Sequence, residues 1–420
     1  MNYDFDKLID RNGTNSYKWD FVRRDGKIIP WDETDSSIHD RPVLPLWVAD
    51  MDFLCAQPII DAVNEIAKTG IYGYSVPPPS YYDAVVGWMH RRHNWIIKKN
   101  TICIAPGVVP ALHLIVSAYT NPGDRVLIQT PVYYPFYDIA EQTGTQVTFN
   151  PLCYTNNQYQ MNFDDLSQKC ADPSVKLAIL CSPHNPVGRV WSREELKTFG
   201  RICIDNNVLV VSDEIHGDLI LGENKFVPYA TLGPEYEDLS IICTSPSKTF
   251  NLAGLQASNI IIHNSKLRKK FQSALRSVGI FTLNSFGIAS VEAACNYGEE
   301  WLDQLVSYLN DNLRFLINFF HERLPEVSVT KTEGSYLVWV DFRGLGLDKE
   351  ALEKIIMDDA RVYLNQGYIF GSEGEGFERI NIACPRSILT EALERIETSV
   401  KAYLKQNPNT SPIRSKQPCF

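Results

Sequence analysis

The sequence predicts an α/β protein in which a large domain with a mostly parallel sheet is followed by a smaller α+β domain. Between residue 101 and about residue 290, short apolar, β-branched segments alternate with helical patterns, as in a sheet that helices cover on both faces. Near residue 295 the pattern changes to a long amphipathic helix followed by separate strands and helices. The length of 420 residues exceeds one ordinary hydrophobic core, which also favours two domains.

The N-terminal segment, residues 1–53, is aromatic and rich in turns, and we assign it to the small domain. The large domain, residues 54–290, begins with a helix that the apolar spacing of Gln57–Thr69 predicts and that Gly70 ends. Consecutive prolines then predict an irregular loop over Tyr72–Pro79, because proline suits neither a helix interior nor a sheet ladder.

The strands predicted in the large domain are short, β-branched and apolar on both faces. They are Arg125–Gln129, Lys176–Cys181, Val208–Ser212, Ile241–Thr244 and Asn259–Ile262. The clearest of the intervening helices starts at Ser192, whose hydroxyl can form a capping box with Glu195.

The small domain, residues 291–405, is predicted from a second set of patterns. Its first element is the long helix Trp301–Leu324, which carries a continuous apolar stripe. The predicted strands Ser335–Phe342 and Phe377–Cys384 and the predicted helices Lys349–Leu364 and Ser387–Leu404 follow it. Residues 406–420 are polar and contain prolines, which predicts a disordered tail.

The composition argues against several classes of function. A net charge of −10 argues against a nucleic-acid binder, which would carry a basic patch. No apolar run approaches the roughly 18 residues of a membrane span, and the N-terminus carries acidic residues where a signal peptide would be basic. None of the ten cysteines belongs to a CxxC pair, so neither a zinc site nor a disulfide framework is indicated. We expect a cytoplasmic protein.

Two polar side chains at the ends of predicted buried strands indicate the chemistry. Lys248 follows the strand Ile241–Thr244, where burial would lower the pKa of its ammonium group and leave a nucleophilic amine. Taken alone, this residue could equally be an exposed turn lysine. Asp213 follows the strand Val208–Ser212, where a buried carboxylate needs a cationic partner. Pyridoxal 5′-phosphate (PLP) needs such a pair: a lysine for the Schiff base and an acid that keeps its ring nitrogen protonated.

Six motifs occur in a characteristic order along the chain. They are Pro106-Gly-Val-Val-Pro-Ala-Leu, Pro131-Val-Tyr, Ser182-Pro-His-Asn-Pro-Val-Gly, Ser212-Asp-Glu, Ser245-Pro-Ser-Lys and Cys384-Pro-Arg. This order resembles the class I/II aminotransferase superfamily of PLP-dependent enzymes, which have the fold type I of aspartate aminotransferase. Within it, residues 10–20, 47–53, 213–219 and 247–255 are similar to the cystathionine β-lyase-like C–S lyases of the MalY/PatB group.

The resemblance implies a binding site for PLP. Lys248 would anchor the cofactor and act as the general base, and Asp213 would hold the ring nitrogen protonated. The phosphate would be bound at a helix N-terminus and by hydroxyl groups, which the motifs place at Gly107, Val108, Val109, Ser245 and Ser247.

The remaining implied contacts concern the cofactor ring, the substrate and a second subunit. Tyr133 would stack on the ring, with Tyr134 as the alternative, and Asn185 would bond the phenolate oxygen and contact the substrate. Arg386 would bind the substrate carboxylate with its planar fork. Tyr74 matches an aromatic residue that is donated to the neighbouring subunit's site, which implies a homodimer.

Two residues depart from the aminotransferase pattern. His216 stands where aminotransferases typically have a tyrosine that bonds the phenolate oxygen, and it fits the lyase group. Gln256 stands where they typically have an arginine that binds the phosphate, so the phosphate meets less positive charge here.

The resemblance favours a C–S β-lyase that cleaves L-cystathionine or related cysteine S-conjugates into a thiol, pyruvate and ammonia. An aminotransferase of amino acids on the same fold is the alternative. A cofactor-binding regulator is a third hypothesis, which the set of Lys248, Asp213 and Arg386 disfavours. No metal site is predicted, because His90 and His93 lie beside arginines with no third ligand near them in the sequence.

Overall fold

The computed structural model describes residues 2–24, 27–31 and 42–407. Its largest feature is a seven-stranded sheet with the spatial order Ile102–Ala105, Ser258–Ile261, Ser240–Thr244, Leu209–Asp213, Val175–Cys181, Arg125–Ile128 and Gln146–Phe149. Ser258–Ile261 runs antiparallel to both of its neighbours, and the other neighbouring strands are parallel. The predicted α/β class with a mostly parallel sheet is confirmed.

The five predicted strands are all present, and their boundaries differ from the predicted ones by one or two residues. The two edge strands, Ile102–Ala105 and Gln146–Phe149, were not predicted. Both have only four residues, and the second alternates polar with apolar side chains. The exposed positions of Gln146–Phe149 explain its alternation, whereas Ile102–Ala105 is apolar and mostly buried and has no such explanation.

Both faces of this sheet are buried. In the central strand Leu209–Asp213, Val210 packs into one hydrophobic cluster and Val211 into another. The helices of this part of the chain are Gln57–Thr69, Pro79–His93, Val108–Tyr119, Pro135–Gln142, Phe163–Cys170, Arg193–Asp205, Pro234–Asp238, Pro246–Thr249, Ser265–Ser277 and Ser285–Tyr297. Burial on both faces explains why the central strands are apolar along their whole length.

Local signals placed several helix ends correctly. The predicted capping box is formed, since the Glu195 amide donates to Ser192 Oγ at 3.2 Å and the Ser192 amide donates to Glu195 Oε2 at 2.8 Å. Gly70 ends the helix Gln57–Thr69 in the left-handed conformation, with φ 62°. The loop after it stays irregular up to Pro78, where the next helix is capped.

A second sheet is antiparallel and has four strands. Their spatial order is Ser328–Val329, Leu337–Asp341, Phe377–Asn381 and Asn365–Gln366. The helices of this region are Glu299–Arg323, Lys349–Glu353 and Arg386–Gln406. The single helix predicted over residues 349–364 is wrong: a π-helical segment, Lys354–Asp359, and a strand, Val362–Tyr363, follow Lys349–Glu353. Arg361 has a φ of 59°, which a continuing helix does not allow.

The N-terminal residues are bonded to this second region. Leu44–Pro45 pairs in parallel with Val362–Tyr363, and the Asp52 amide donates to the Ala383 carbonyl at 2.9 Å. Two further hairpins pair Phe21–Arg24 with Lys27–Pro30 and Cys153–Thr155 with Gln158–Gln160. The domain boundaries 1–53, 54–290 and 291–405 stay predictions. Most of the predicted tail, residues 408–420, lies outside the described residues.

Candidate active site

Polar side chains collect where the carboxyl ends of the parallel strands meet, which is the usual place for a ligand in such a sheet. Asp213 is the last residue of its strand, and Asn185 and Lys248 follow two neighbouring strands. One cavity is lined by residues from these three segments and from others. The predicted site residues that line it are Gly107, Val108, Val109, Tyr133, Asn185, Asp213, His216, Ser245, Ser247 and Lys248. Gln256 lines it too. The structure thus brings together the residues predicted to bind the cofactor, with Tyr74 as the exception.

Lys248 lies on the four-residue helix Pro246–Thr249. Its Nζ donates to the carbonyl oxygen of Ala49 at 2.8 Å, and the Tyr336 hydroxyl donates to the same oxygen at 2.9 Å. Burial, and then the positive charge of Arg379, lower the pKa of Lys248 to about 8. At pH 7 about one tenth of this amine is therefore neutral, far more than for an ordinary lysine, and the neutral form is what a nucleophile or a general base requires.

Asp213 is buried, with 5% of its surface exposed. The Ile215 amide donates to its carboxylate at 3.2 Å. Burial nevertheless raises the pKa of Asp213 to about 7, although this hydrogen bond and the charge of Lys248 act in the opposite direction. A cation placed against this carboxylate, such as a protonated ring nitrogen, would offset the cost of burying its charge.

A helix N-terminus and two hydroxyl groups form one wall of the cavity. Gly107 precedes the helix Val108–Tyr119, whose first amides have no partners within the helix. Ser245 Oγ donates to the Ala257 carbonyl at 2.7 Å and accepts the Ser247 amide at 3.1 Å. This wall can bind an anion through amides and hydroxyls. Among the lining residues in the described part of the chain, Lys248 is the only lysine or arginine.

His216 and Tyr133 are positioned by buried contacts. His216 Nδ1 lies 3.1 Å from Ser335 Oγ, and burial, helped by the nearby charges of Lys248 and Arg379, lowers the pKa of His216 to about 3. Its imidazole is therefore neutral. The Tyr133 amide donates to the Asn185 carbonyl at 3.1 Å, and burial raises the pKa of the Tyr133 hydroxyl.

Arg379, which the sequence analysis missed, is not among the described residues that line the cavity, but it lies beside it and bonds Asn185, which does line it. Arg379 is 3% exposed, and its Nη atoms donate to Asn185 Oδ1 and to the Trp47 carbonyl, both at 2.9 Å, and to Asn365. Its Nε is buried and has no hydrogen-bond partner among the described residues. A carboxylate could accept this bond. The available signal was an arginine inside the predicted buried strand Phe377–Cys384, where a charged side chain is rare.

Arg386 does not line the cavity. It starts the helix Arg386–Gln406, and its Nε donates to Asn312 Oδ1 at 2.7 Å. Its guanidinium also lies 4.5 Å from the ring centre of Phe315. Both partners belong to the helix Glu299–Arg323, so the predicted substrate contact of Arg386 is corrected: the helix start directs this side chain to a neighbouring helix.

Tyr74 also lies apart from the cavity lining. It is 95% exposed in the loop before Pro79–His93, and its ring centre lies 6.1 Å from that of Phe281. Its donation to a neighbouring subunit stays a prediction.

The described residues contain neither a membrane-spanning helix nor a cluster of metal ligands. Within the ranges 2–24, 27–31 and 42–407, no helix is long and apolar enough to cross a membrane. In the same ranges, no group of three or more His, Cys, Asp or Glu residues could hold a metal ion.

Comparison with known proteins identifies the family of the chain. A family model, "Aminotransferase class I and II", matches residues 41–396, and the chain belongs to this family. It is 43% identical over 396 residues to the cystathionine β-lyase PatB of Bacillus subtilis (strain 168), which covers 94% of this chain and 99% of that protein. The predicted family and fold are confirmed.

Two solved structures are similar to this chain over almost its full length. The structure of cystalysin from Treponema denticola, which contains PLP, matches with a TM-score of 0.91 and 35% identity over 96% of this chain and 100% of that one. The PLP-bound C–S lyase of Staphylococcus hominis matches with a TM-score of 0.86 and 33% identity over 95% and 98% of the two chains. Within its family, the chain is thus similar to PLP-containing C–S lyases.

The raised pKa of Asp213 has a consequence for the cofactor-free protein. Because the native carboxyl titrates at about 7 and its ordinary value is 3.8, its contribution to stability is present below about pH 4 and is lost as the pH rises towards 7. Asp213→Asn does not titrate, so we expect its free energy of unfolding to rise relative to wild type between about pH 4 and pH 7. Denaturant titrations at a series of pH values measure this difference. The exposed Asp238 supplies the control variant Asp238→Asn, and an equal rise in both variants would contradict the assignment.

Proposed function

We propose that this chain is a PLP-dependent C–S β-lyase that cleaves L-cystathionine or related cysteine S-conjugates into a thiol, pyruvate and ammonia. One observation carries the proposal: a single cavity contains Lys248 and Asp213 in a chain whose identity to a cystathionine β-lyase extends over almost its full length. An aminotransferase would use the same cavity, so an experiment has to distinguish the two activities.

The groups that line the cavity fit PLP. The amine of Lys248 is the group that joins the cofactor aldehyde, and the carboxylate of Asp213 is the partner for its ring nitrogen. The N-terminus of Val108–Tyr119, with Ser245 and Ser247, would hold the phosphate. When bound, the cofactor supplies an electron sink for the electron pair that is left on the substrate Cα.

Arg379 would bind the substrate carboxylate. Its guanidinium is fixed by Asn185, Trp47 and Asn365, so the direction of its unpartnered Nε is set before substrate arrives. A fixed guanidinium orients a carboxylate through a charge-assisted hydrogen bond, here from Nε. This contact would hold the substrate so that its Cα–H bond faces Lys248.

Lys248 would carry the proton steps. In its neutral form, Nζ takes the proton from the substrate Cα, and the thiolate then leaves from Cβ. The ammonium group of Lys248 can return this proton to the thiolate. The remaining 2-aminoacrylate takes up one water molecule and yields pyruvate and ammonia, so the overall reaction is a hydrolytic elimination. The Ala49 carbonyl, 2.8 Å from Nζ, offers a hydrogen-bond acceptor to the lysine when it is free.

We also infer a cytoplasmic homodimer in which Tyr74 of each subunit reaches the site of the other. The 95% exposure of Tyr74 supports this arrangement, as does the scarcity of cationic groups around the phosphate wall. Eight of the nine cysteines in the described part of the chain are free thiols, most of them buried, which supports a reducing compartment, whereas Cys153 is disulfide-bonded.

Arg379 and Arg386 form a matched pair for testing the carboxylate site. We expect Arg379→Lys to raise KM about tenfold or more, because lysine cannot reproduce the planar fork at a buried contact worth roughly 1.5–3 kcal/mol. Arg386→Lys should leave KM within about twofold. Steady-state kinetics with L-cystathionine measure both variants. If Arg386→Lys has the larger effect on KM, the substrate contact has been assigned to the wrong arginine.

The second test separates a lyase from an aminotransferase. With L-cystathionine or S-methylcysteine and no added keto acid, we expect continuous formation of thiol, pyruvate and ammonia in equal amounts. Reprotonation without loss of the Cβ group would instead need an amino acceptor to sustain turnover. The assay is therefore repeated with 2-oxoglutarate. If turnover appears only with this acceptor, and a new amino acid forms without any thiol, the chain is an aminotransferase and the lyase proposal is wrong.

The third test addresses the second subunit. Tyr74→Ala and Lys248→Ala are each expected to lose most activity as homodimers. When the two variants are co-expressed, the hybrid dimer should contain one site with both native residues, and about half of wild-type activity per hybrid dimer should return. Purification with two different tags isolates the hybrid. An inactive hybrid, or an active monomer in sedimentation, would show that Tyr74 does not act across an interface.

A further inference from the structure

Asp218 belongs to the lyase-like segment 213–219 but has no role in the site described so far. Its carboxylate accepts hydrogen bonds from the Thr249 hydroxyl at 2.8 Å, from Trp88 Nε1 at 3.1 Å and from His93 Nε2 at 2.8 Å. Burial opposes ionisation, but the hydrogen bonds from His93 and then from Thr249 leave the pKa of Asp218 below its usual value. This carboxylate is therefore an ionised acceptor for three donors.

Thr249 links this carboxylate to the active site. It directly follows Lys248, and its side chain is fully buried, with 0% exposed. The helix that carries both residues, Pro246–Thr249, has only four residues, and the Phe250 amide closes it on the Pro246 carbonyl at 2.9 Å. Such a short helix does not hold its own orientation, so contacts at its two ends must do so.

The two ends of this helix are anchored differently. At its start, the Ser245 hydroxyl caps the Ser247 amide and bonds the Ala257 carbonyl. At its end, Thr249 is held by Asp218, which Trp88 and His93 tie to the helix Pro79–His93. The second anchor therefore connects the lysine helix to an element on a different part of the chain.

We propose that Asp218 is a positioning residue for Lys248 and that it acts through the hydroxyl of Thr249. The carboxylate fixes the rotation of the short helix and so the direction in which the lysine amine enters the cavity. The inference rests on the proposed role of Lys248 as the cofactor lysine, but it holds whether the enzyme eliminates or transaminates.

The test removes one hydroxyl and then restores it. Thr249→Val keeps the shape of the side chain but cannot donate to Asp218, whereas Thr249→Ser can. We expect Thr249→Val to lower kcat roughly tenfold to a hundredfold, the scale of a misplacement of about 1 Å, with KM changed less than twofold. The pH midpoint of the bound-cofactor absorbance should also shift. Thr249→Ser should return both quantities to within about twofold of wild type.

Further measurements separate positioning from folding. The melting temperature of the cofactor-free protein and its dissociation constant for PLP are measured for every variant, with the exposed Thr198→Val as control. If Thr249→Val lowers only the melting temperature and keeps wild-type kcat and absorbance midpoint, the inference is overturned. If it does not fold, Asp218→Ala provides the same comparison, because it removes both acceptor oxygens and with them the bond from Thr249. An unchanged kcat and midpoint there would equally overturn it.

The absorbance midpoint does not depend on the reaction catalysed, so it remains informative if lyase activity is absent.

Discussion

The burial of an amine and a carboxyl group in one cavity is the constraint on which the rest of the site depends. Burial lowers the pKa of Lys248 to about 8 and raises that of Asp213 to about 7, so both groups are shifted towards their neutral forms. Both faces of the sheet are covered, which buries the strand end that carries Asp213 and the short helix that carries Lys248. The fold therefore makes the surroundings of both groups apolar. Because Leu209–Asp213 and Ser240–Thr244 are neighbours in the sheet, the two groups also lie at the same edge of it.

A network of ion pairs holds the N-terminal segment next to the site. Asp52, which is 2% exposed, pairs with Lys18 at 2.7 Å and with Arg11 at 2.6 Å. The side chain of Asn251 also bonds both backbone groups of Met51. These contacts hold the segment that contains Ala49, whose carbonyl accepts the amine of Lys248. Residues 10–20 and 47–53, both similar to C–S lyases, are thus joined by ion pairs to Asp52. They lie together next to Lys248.

Much of the fold and most of the cofactor site could be predicted from the sequence, because central strands and helix caps leave local signals. Lys248 and Asp213 could be predicted because each lies at or shortly after the end of a recognisable apolar strand. The arginine that we propose for the substrate carboxylate could not be predicted from the sequence, because Arg379 and Arg386 differ only in tertiary contacts: Arg379 faces Asn185 and Trp47, and Arg386 faces Asn312. The strand Val362–Tyr363 was missed for a similar reason, since its partner Leu44–Pro45 lies more than three hundred residues away in sequence.

The charges around Lys248 also link substrate binding to proton transfer in the proposed function. After burial, the positive charge of Arg379 is the main cause of the low pKa of Lys248. A substrate carboxylate bound to Arg379 would offset that charge, and the basicity of the amine would then rise. His216 is neutral at this site and Gln256 carries no charge, so neither side chain opposes this change. The arginine that orients the substrate would therefore also make Lys248 a stronger base at the moment when the Cα proton has to be removed.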